Sequence, residues 1–457
     1  MVMSPGAVEE LVKEQLLPLW EKEQERLDRI DRWYRWQQDP VRVPRGATPE
    51  LKALVELSKT PWLHLVVSTV AQAMYVDGYR SPRGEETTRA PWAAWQRNDF
   101  DARQLAIHRG VVAYGYCYGV VLPGDLDGER LAVMRGVSPR RMQAVYDDPA
   151  EDDWPMYAIR KDGRTVRVLD DEAEYVLQMD GDRPTYVDRS EHGVGVCPVV
   201  RYWDHRDLDG RTPGEVEPHI PLAARINKTT FDRLMTQHFA SWKVRTIAGM
   251  VRPDDPGEVE RKRLQLRQDD ILIAEDPDTR FGTLDETPLD GFIAAHRADV
   301  ETLAAVTQTP THALTGQLVN LSAEALAAAR AQLTQKVSEY QRGVGKGHDQ
   351  MLRLAAYVEG DEEAATDWQA HVTWQDMEIR SLSQAVDALG KAAQMLQVPV
   401  RALWARIPGV TKLDVDEWTR LAEESDTVGA LLAQLQTQAE GAAVAEVGAG
   451  GGDLGGL

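Results

Sequence analysis

Residues 307–337 read TQTPTHALTGQLVNLSAEALAAARAQLTQKV, and this stretch joins a polar loop to the start of one long helix. Ser322 suits a helix N-cap, and Glu324 places a negative charge in the first turn, where the helix dipole favours it. Between Pro310 and Ser322 most residues are small or polar, so we expect a loop without helical continuation. The predicted apolar stripe of the helix comprises Leu326, Leu333, Val337 and Tyr340.

The composition around this stretch is that of a globular protein. The chain has 457 residues, enough for two or three domains, with 43% hydrophobic and 27% charged residues. The sequence contains no run of about 18 apolar residues, so no membrane span is predicted, and the start does not resemble a secretory signal. Only Cys117 and Cys197 occur, both amid apolar neighbours, which favours buried thiols and a reducing cytoplasm over a disulfide framework.

The formal net charge of −21 limits the kind of contact that the chain makes with nucleic acid. Tight binding to nucleic acid comes mostly from Lys and Arg that neutralise phosphates, so the acidic balance argues against it. The balance does not argue against a protein that lets nucleic acid slide past. One basic cluster stands out, and it is either a solvated helix face or a docking surface. It comprises Arg261, Lys262, Arg263 and Arg267.

Three helices are predicted before residue 114. The first follows apolar residues at helical spacing from Leu16 to Tyr34. The second has Thr60 as its N-cap and should stop at Gly78. The third begins near Asp99 or the preceding Asn98. The apolar positions are Leu63, Val66, Val67, Val70 and Met74 in the second helix, and Ala102, Leu105, Ala106 and Val112 in the third.

Short segments rich in Val, Tyr and Ile follow from Tyr114. Turn dipeptides such as Asp162-Gly163 separate them, which predicts an antiparallel meander. The segments are YGYCYGVVL, RLAVMRG, RMQAVYD, PMYAIR, RTVRVL and EYVLQM, and the apolar VCPVVRYW ends the run.

Two helices around a small insert are predicted after residue 214. Apolar residues from Leu222 to Trp242 indicate a helix of about 25 residues, roughly 40 Å long. The charged DDPGEVERKRLQLRQDD and the strand-like ILIAE and RFGTL form the insert. A second helix then ends at Pro310. Its apolar side carries Phe292, Ile293, His296, Val300 and Leu303, and further helices are predicted around residues 382–396 and 415–435.

No motif for catalysis, a metal or a cofactor stands out. GVGKG at residues 343–347 lacks the full spacing of a phosphate loop and follows a helix, so a helix break is expected there. GDLDG and RDLDG, with Asp125 and Asp207, resemble the start of a calcium loop but lack its later ligands, which favours Asp-Gly turns. We therefore expect no enzyme activity, no cofactor and no metal.

Five segments carry a family resemblance when they are taken in order. They are VVSTVAQAMYVDGYR, WQRNDFDARQLAIHRGVVAYGYCYGVVLPG, GVSPRRMQAVYDDP, GVGVCPVVRYWDH and TQTPTHALTGQLVNLSAEALAAARAQL. Together they resemble the portal proteins of tailed double-stranded-DNA bacteriophages, in particular those of siphophages with actinobacterial hosts. The last segment is similar to a P-x-x-x-L-G…N-x-S-x-x-A-L loop and helix, although Leu314-Thr315-Gly316 stands where Leu-Gly is commoner. The resemblance covers roughly residues 51–358.

The resemblance implies an α+β, mainly helical portal fold that forms a ring, usually of twelve subunits. Such a subunit has a wing, a stem of two long helices, a small α/β clip inserted between them, and a helical crown. The implied divisions are a wing at 1–214, a first stem helix at 215–248, the clip at 249–288, a second stem helix at 289–308, a tunnel loop at 309–321, a long wing helix and following segment at 322–375, the crown at 376–440 and a disordered Gly/Ala tail at 441–457.

The implied function is that of a head–tail connector at one capsid vertex, through which viral DNA is packaged and later ejected. The implied partners are further copies of the chain, double-stranded DNA in the channel, the terminase large subunit, a head–tail adaptor protein, and the major capsid and scaffolding proteins, with no membrane. The protein would reside in the virion, and in the host cytoplasm during assembly.

The resemblance also implies two sites. The tunnel loop would face DNA, and it contains no Lys or Arg. Twelve copies of the chain would carry roughly −250 charges, which disfavours lasting phosphate contacts and lets DNA move. The channel residues are Thr309, Thr311, Thr315, Gly316, Gln317, Leu318, Val319 and Asn320; the docking residues of the clip are Arg261, Lys262, Arg263 and Arg267.

Two alternatives remain open from the residues alone. One is another structural virion protein, such as a minor head or adaptor subunit, and a helix–insert–helix arrangement at residues 215–308 distinguishes it from a portal protein. The other is a soluble enzyme with a dispersed site, which requires a deep pocket with titratable groups of perturbed pKa.

Overall fold

The fold is a mixture of helices and antiparallel sheets. The computed structural model describes residues 2–43, 48–84, 86–126, 128–240, 245–248, 280–283, 287–316, 323–375, 382–404, 406–407, 410 and 414–424. The helices are α1 (Pro5–Leu11), α2 (Leu17–Tyr34), α3 (Pro49–Leu57), α4 (Trp62–Ala71), α5 (Glu86–Arg97), α6 (Phe100–Tyr114), α7 (Ile220–Ala240), α8 (Asp290–Val306), α9 (Thr311–Thr315), α10 (Ala323–Glu359), α11 (Glu362–Ala365), α12 (Leu382–Leu396), α13 (Val400–Trp404) and α14 (414–424).

The strands follow the predicted segments closely. They are β1 (Val76–Arg80), β2 (Tyr116–Leu126), β3 (Glu129–Val137), β4 (Met142–Val145), β5 (Tyr157–Asp162), β6 (Thr165–Leu169), β7 (Ala173–Asp180), β8 (Arg183–Glu191), β9 (Val199–Trp203), β10 (Arg245–Ala248), β11 (Arg280–Thr283) and β12 (His371–Trp374). Four strands that were not predicted are added: β1, β8, β10 and β12. A tight turn closes the β5–β6 hairpin at the predicted place, but its two turn residues are Gly163 and Arg164, because Asp162 is still in β5 and pairs with Thr165.

The predicted meander is confirmed, but it divides into two sheets. One sheet has the consecutive order β4-β5-β6-β7-β8, with every neighbouring pair antiparallel. The other has the order β3-β2-β9, so that the apolar last strand returns to pair with the first. Strand β8 was not predicted, because only Pro184, half-buried Tyr186 and exposed Val187 interrupt a polar sequence.

The N-terminal helices cover one face of the five-stranded sheet. Val8, Val12 and Leu16 lie at helical spacing along α1 and the π-helical turn Val12–Leu16 that joins α1 to α2. They pack in a separate small core against buried strand residues that include Ile159 and Tyr175. Burial of this apolar face, at roughly 25 cal/mol per Å², is what holds the chain start on the sheet.

The second predicted helix is shorter than expected. Its apolar face is buried as predicted, but α4 ends at Ala71, and Gly78 lies inside strand β1. The N-cap residue is Pro61, one position later than predicted, and it makes no side-chain capping bond. Strand β1 pairs with β12 nearly 300 residues later, with Tyr79 opposite Val372, and this long-range pairing ends the helix.

The third predicted helix begins where expected, with Asp99 at the N-cap of α6. The expectation that Ala102, Leu105 and Ala106 form its apolar face is wrong, because Ala102 and Ala106 are exposed and Leu105 is only half-buried. The buried face instead carries the polar Gln104 and His108, together with Ile107, Val111 and the predicted Val112.

The two helices around the insert lie side by side and run in opposite directions. Helices α7 and α8 have 21 and 17 residues, or about 31 and 25 Å. Arg225, near the start of α7, forms an ion pair with Asp299, in the second half of α8, at 2.9 Å. Beyond the other ends of the helices, β10 and β11 pair antiparallel. Within the parts of the chain that the structure describes, no helix is both long and apolar enough to cross a membrane.

Candidate functional site

The chain reverses direction at the end of α8 through a tight hydrogen-bonded cap. Gln308 adopts a left-handed backbone conformation with φ of 51°. Its N–H donates to the carbonyl of Ala305 at 3.3 Å, and the N–H of Thr309 donates to the carbonyl of Ala304 at 3.0 Å. This is the bond pattern of a Schellman cap, with Gln at the position that usually holds Gly. The direction in which the following segment leaves α8 is therefore fixed by the backbone.

The segment after this cap is more ordered than its sequence suggests. We expected no helical continuation after Pro310, but Thr311–Thr315 form the short helix α9, which Gly316 ends with φ of 68°. The reason is the burial of Leu314, which joins the main core. Thr311 and Gly316 are exposed, and Thr315 is half-buried. The predicted channel residues Gln317, Leu318, Val319 and Asn320 lie outside the described residues.

Thr309 occupies a different environment from the other predicted channel residues. It is only 4% exposed, and its hydroxyl lies 3.0 Å from that of Thr307. The Thr307 hydroxyl in turn donates to the carbonyl of Leu303 at 2.7 Å. The side chain of Thr309 therefore stabilises the end of α8 and does not face solvent in the subunit, so we do not assign it to a channel surface.

A buried lysine of the long helix α10 contacts the end of α8 directly. The Nζ of Lys336 donates to the carbonyl of Thr307 at 2.7 Å and forms an ion pair with Glu215 at 2.7 Å. The other oxygen of Glu215 accepts a hydrogen bond from the hydroxyl of Tyr340 at 2.8 Å. Lys336 and Tyr340 are four residues apart and so share one face of α10. Burial, together with the nearby Glu215 carboxylate, raises the pKa of Tyr340 well above its usual value.

Glu215 is itself held from two sides. Its N–H donates to the carbonyl of Val112 at 2.8 Å, and its carbonyl lies 2.8 Å from Nδ1 of His219. Two residues later, Glu217 forms an ion pair with Arg26 of α2 at 2.8 Å. The chain just before α7 is thus fixed to both α6 and α2.

Sequence reasoning missed the Lys336–Glu215 pair, although one signal for it was visible. Leu333, Val337 and Tyr340 form the apolar stripe that was predicted, and both Val337 and Tyr340 are buried. Lys336 lies on the same stripe at helical spacing, and a lysine on a buried stripe requires a partner of opposite charge. The identity of that partner depends on the fold and was not readable from spacing.

The GVGKG segment is neither a phosphate loop nor a helix break, which corrects the expected break. It lies inside helix α10. A Cβ on Gly343 would stand 2.8 Å from the carbonyl oxygen of Trp203, and one on Gly347 would stand 2.4 Å from a ring carbon of Tyr202. The glycines therefore allow α10 to approach strand β9 closely. The sequence did not predict this contact, because glycine in a helix was interpreted only as a sign of a helix break.

Two histidines form a buried chain of hydrogen bonds beneath this contact. The ring nitrogens Nε2 of His108 and His348 are 3.0 Å apart, Nδ1 of His108 lies 3.2 Å from the carbonyl of Met74, and Nδ1 of His348 lies 3.0 Å from the hydroxyl of Tyr202. One set of neutral tautomers satisfies every one of these bonds. Burial lowers the pKa of His108 to about 4 and that of His348 well below its usual value.

The comparisons with known proteins decide the family. The family model described as "Phage portal protein, SPP1 Gp6-like" matches residues 16–429. The chain belongs to this portal protein family. Two curated relatives are the portal protein of Mycobacterium phage L5, 23% identical over 450 residues and covering 92% of this chain and 89% of that protein, and the portal protein of Mycobacterium phage D29, 22% identical over 404 residues and covering 83% and 81%.

Two solved structures are also similar to this portal protein. The neck of an empty GTA particle, computed with C6 symmetry, has a TM-score of 0.44 and 13% identity, and covers 79% of this chain and 96% of that chain. The virion of the native gene transfer agent particle has a TM-score of 0.40 and 12% identity, with the same coverage of the two chains. The family match and the two curated relatives confirm the resemblance to siphophage portal proteins of actinobacterial hosts, and the portal function with it.

The remaining predicted features of the portal protein have these places. Arg261, Lys262, Arg263 and Arg267 lie outside the described residues. Asp125 and Asp207 take part in turns: the Asp125 carboxylate accepts from the N–H of Gly128 at 3.2 Å, and that of Asp207 accepts from the N–H of Arg211 at 2.8 Å. Among the residues that the structure describes, no group of three or more His, Cys, Asp or Glu could hold a metal ion. Both cysteines are unpaired and buried, and burial raises the pKa of both thiols.

Proposed function

We propose that this portal protein assembles into a ring of twelve copies at one vertex of the capsid and forms the channel for the packaging and ejection of viral DNA. The single observation that carries this proposal is the family match over residues 16–429. That range includes the antiparallel pair α7 and α8, the polar segment after them and the long helix α10.

The channel surface would come from residues 309–321. This range contains no Lys or Arg, and the chain has a net charge of −21. Both features favour passage of phosphates over lasting contacts with them. Of the described residues, Thr311, Thr315 and Gly316 are available for this role, whereas Thr309 is buried. Gln317, Leu318, Val319 and Asn320 complete the proposed surface.

The other parts of the subunit are assigned on the same basis. Residues 215–244 and 289–308 would form the stem, 245–288 the clip, 1–214 and 322–375 the wing, 376–440 the crown, and 441–457 a disordered tail. The antiparallel course of α7 and α8 supports the stem, and the β10–β11 pair beyond their far ends supports an insert between the two helices. Residues 245–248 form strand β10, so the expectation that the first stem helix extends to residue 248 is wrong, and these residues belong with the insert.

The partners would be those of a ring that takes part in two stages of assembly. The clip, with its basic residues Arg261, Lys262, Arg263 and Arg267, would bind the terminase large subunit during packaging and a head–tail adaptor protein afterwards. Major capsid and scaffolding proteins would surround the ring, first in the host cytoplasm and then in the virion. The terminase would supply the energy, and the ring would act without enzymatic activity of its own.

The alternative of a minor head or adaptor subunit is not favoured. The family match spans residues 16–429, and the two curated relatives are both named portal protein. The helix–insert–helix arrangement that distinguishes the two readings is present in α7, β10, β11 and α8. The family is one of structural virion proteins, which also gives no support to the dispersed enzyme site.

The channel assignment can be tested by the introduction of positive charge. The double variant Thr315→Lys with Gln317→Lys would place two cationic rings against the DNA phosphates, and we expect the amount of DNA packaged per particle in a fixed time to fall several-fold. The measurement is DNA content of particles assembled with parent or variant protein, together with electron micrographs of the rings.

The matched control carries the same two charges on a different surface. Thr185 and Ser190 are exposed on strand β8, far along the chain from the proposed channel. The variant Thr185→Lys with Ser190→Lys should package normally. Normal packaging by the Thr315 and Gln317 variant, in rings that contain it, would contradict the channel assignment.

A further inference from the structure

We propose that Lys336 is a positioning residue. It connects the segment just before α7 and the C-terminal end of α8 to the long helix α10, and thereby fixes the segment that enters the channel. This inference rests on the proposed function, because it assigns a role within the channel. The side chain of Lys336 joins three parts of the chain: the segment before α7, the end of α8, and α10.

The geometry places one ammonium group between an acidic side chain and a helix end. Lys336 is 5% exposed, and its Nζ lies 2.7 Å both from a carboxylate oxygen of Glu215 and from the carbonyl oxygen of Thr307. The last carbonyls of a helix lack partners within the helix and carry its negative end. Lys336 therefore supplies to α8 the donor that the helix itself cannot provide.

The elements joined by Lys336 are far apart in sequence. Glu215 lies five residues before α7, and Thr307 directly follows α8. Lys336 lies in the fourth turn of α10, 29 residues after Thr307. A buried ammonium group cannot leave one partner without losing charge compensation. A displacement of Glu215 or of Thr307 is thus transmitted to α10.

In the described residues 310–316, the buried members are Pro310 and Leu314. The backbone bonds there are local, such as that from the N–H of Gly316 to the carbonyl of His312 at 2.9 Å. Leu314 supplies an apolar contact without a defined direction. The Lys336 contact is directional and binds the carbonyl of Thr307 within the cap that sets the direction of the segment, so it holds this cap, and with it the exposed Thr311 and Gly316, at a fixed position relative to α10.

The test compares three single variants in the full-length protein. Lys336→Met keeps most of the volume and removes the charge, and Glu215→Gln keeps an acceptor for Tyr340 while it removes the carboxylate. Lys346→Met is the matched control, because Lys346 is exposed on the same helix α10. Hydrogen exchange is measured on assembled rings, and DNA content is measured on particles that contain them.

For both Lys336→Met and Glu215→Gln we expect exchange to become at least tenfold faster at the amides of Thr309 and Gly316. Exchange in strands β2 and β9 should be unchanged, rings should still form, and packaged DNA should fall at least threefold. Lys346→Met should change none of these quantities. A local change in exchange together with a loss of packaging supports the positioning role, because a general loss of stability would accelerate exchange in the strands as well.

Three results would overturn the inference. One is unchanged exchange at Thr309 and Gly316 in the variant that folds; another is equal acceleration in β2 and β9; the third is normal packaging despite faster local exchange. Failure of the proposed function gives a different result, since unaltered protein would then form no rings and package no DNA. If Lys336→Met does not fold, Glu215→Gln alone decides between these outcomes.

Discussion

At the scale of the residue, the core histidines of this portal protein link its stability to pH. In the folded chain the pKa of His108 is lowered to about 4 by burial, whereas an unfolded histidine titrates near 6.5. Between these values the unfolded chain binds a proton that the folded chain does not. The contribution of His108 is therefore fully present above pH 6.5 and is lost as the pH falls towards 4.

We predict that the free energy of unfolding falls by about 2 kcal/mol through His108 alone when the pH is lowered from 7 to 5. Urea unfolding at both pH values measures it, with His108→Gln as the variant in which the fall should shrink by that amount. His371→Gln, at an exposed site on β12, is the control. Burial raises the pKa of Asp349 to about 6, which acts in the opposite direction, so variant and parent are compared at each pH. An identical fall in His108→Gln and parent would be evidence against this account.

The same residues show what sequence could not reveal. His108 and Gln104 lie on the buried face of α6, where a pattern search expects apolar side chains. They are tolerated there because each polar atom has a partner: Gln104 accepts from the N–H of Val76 at 2.7 Å and donates to the carbonyl of Val76 at 3.1 Å. Such partners come from distant parts of the chain, so only the folded structure identifies them.

At the scale of the element, the close packing of α10 on β9 depends on residues without a side chain. We predict that Gly343→Ala destabilises the portal protein by about 1–2 kcal/mol. The overpacking cost of about 1–3 kcal/mol exceeds the gain of up to 1 kcal/mol in helix propensity, because the new Cβ would meet backbone carbonyl oxygens that cannot rotate away. Thermal unfolding measures the difference.

The control for this prediction is a glycine in an open environment. A Cβ on Gly390, in α12, meets nothing within 4 Å. Gly390→Ala should therefore stabilise the protein by about 0.5–1 kcal/mol through helix propensity alone. A stabilising Gly343→Ala would show that α10 does not pack on β9 as described.

Elements with a strong local pattern were predictable, and those defined by long-range pairing were not. The alternating strands β2 to β7 and the long helix α10 follow from periodicity in 10 to 20 neighbouring residues. Strand β1 has only five residues and pairs with β12 across nearly 300 positions, so α4 was predicted to run through it. Helix α9 was missed because its formation depends on the burial of Leu314 in a core formed by other elements.

Some features of the candidate site could likewise be predicted from the sequence, and others could not. The polar, Lys-free and Arg-free character of residues 309–321 and the long helix after them were readable from the sequence. The inward position of Thr309, the cap at Gln308 and the Lys336–Glu215 pair were not, because each depends on which elements meet at the end of α8.

At the scale of the whole molecule, the basic cluster in the proposed clip is expected to bind a partner. Arg261, Lys262, Arg263 and Arg267 form the densest basic group in a chain with net charge −21. Replacement of all four by Ala should weaken binding of the terminase or adaptor, most strongly at low salt, because screening reduces charge contacts at high salt. Ring assembly should survive. Titration of the partner onto assembled rings at two salt concentrations measures the effect, and equal affinity of variant and parent would end the assignment.

The central claim is that this chain forms a portal ring, and direct imaging of the purified protein tests it most simply. Negative-stain electron microscopy, with the mass measured in solution on the same sample, gives both the shape and the number of copies. The account predicts closed rings with a central channel, and twelve copies in the assembled state. A strict monomer at high protein concentration, with no rings in the images, would contradict it.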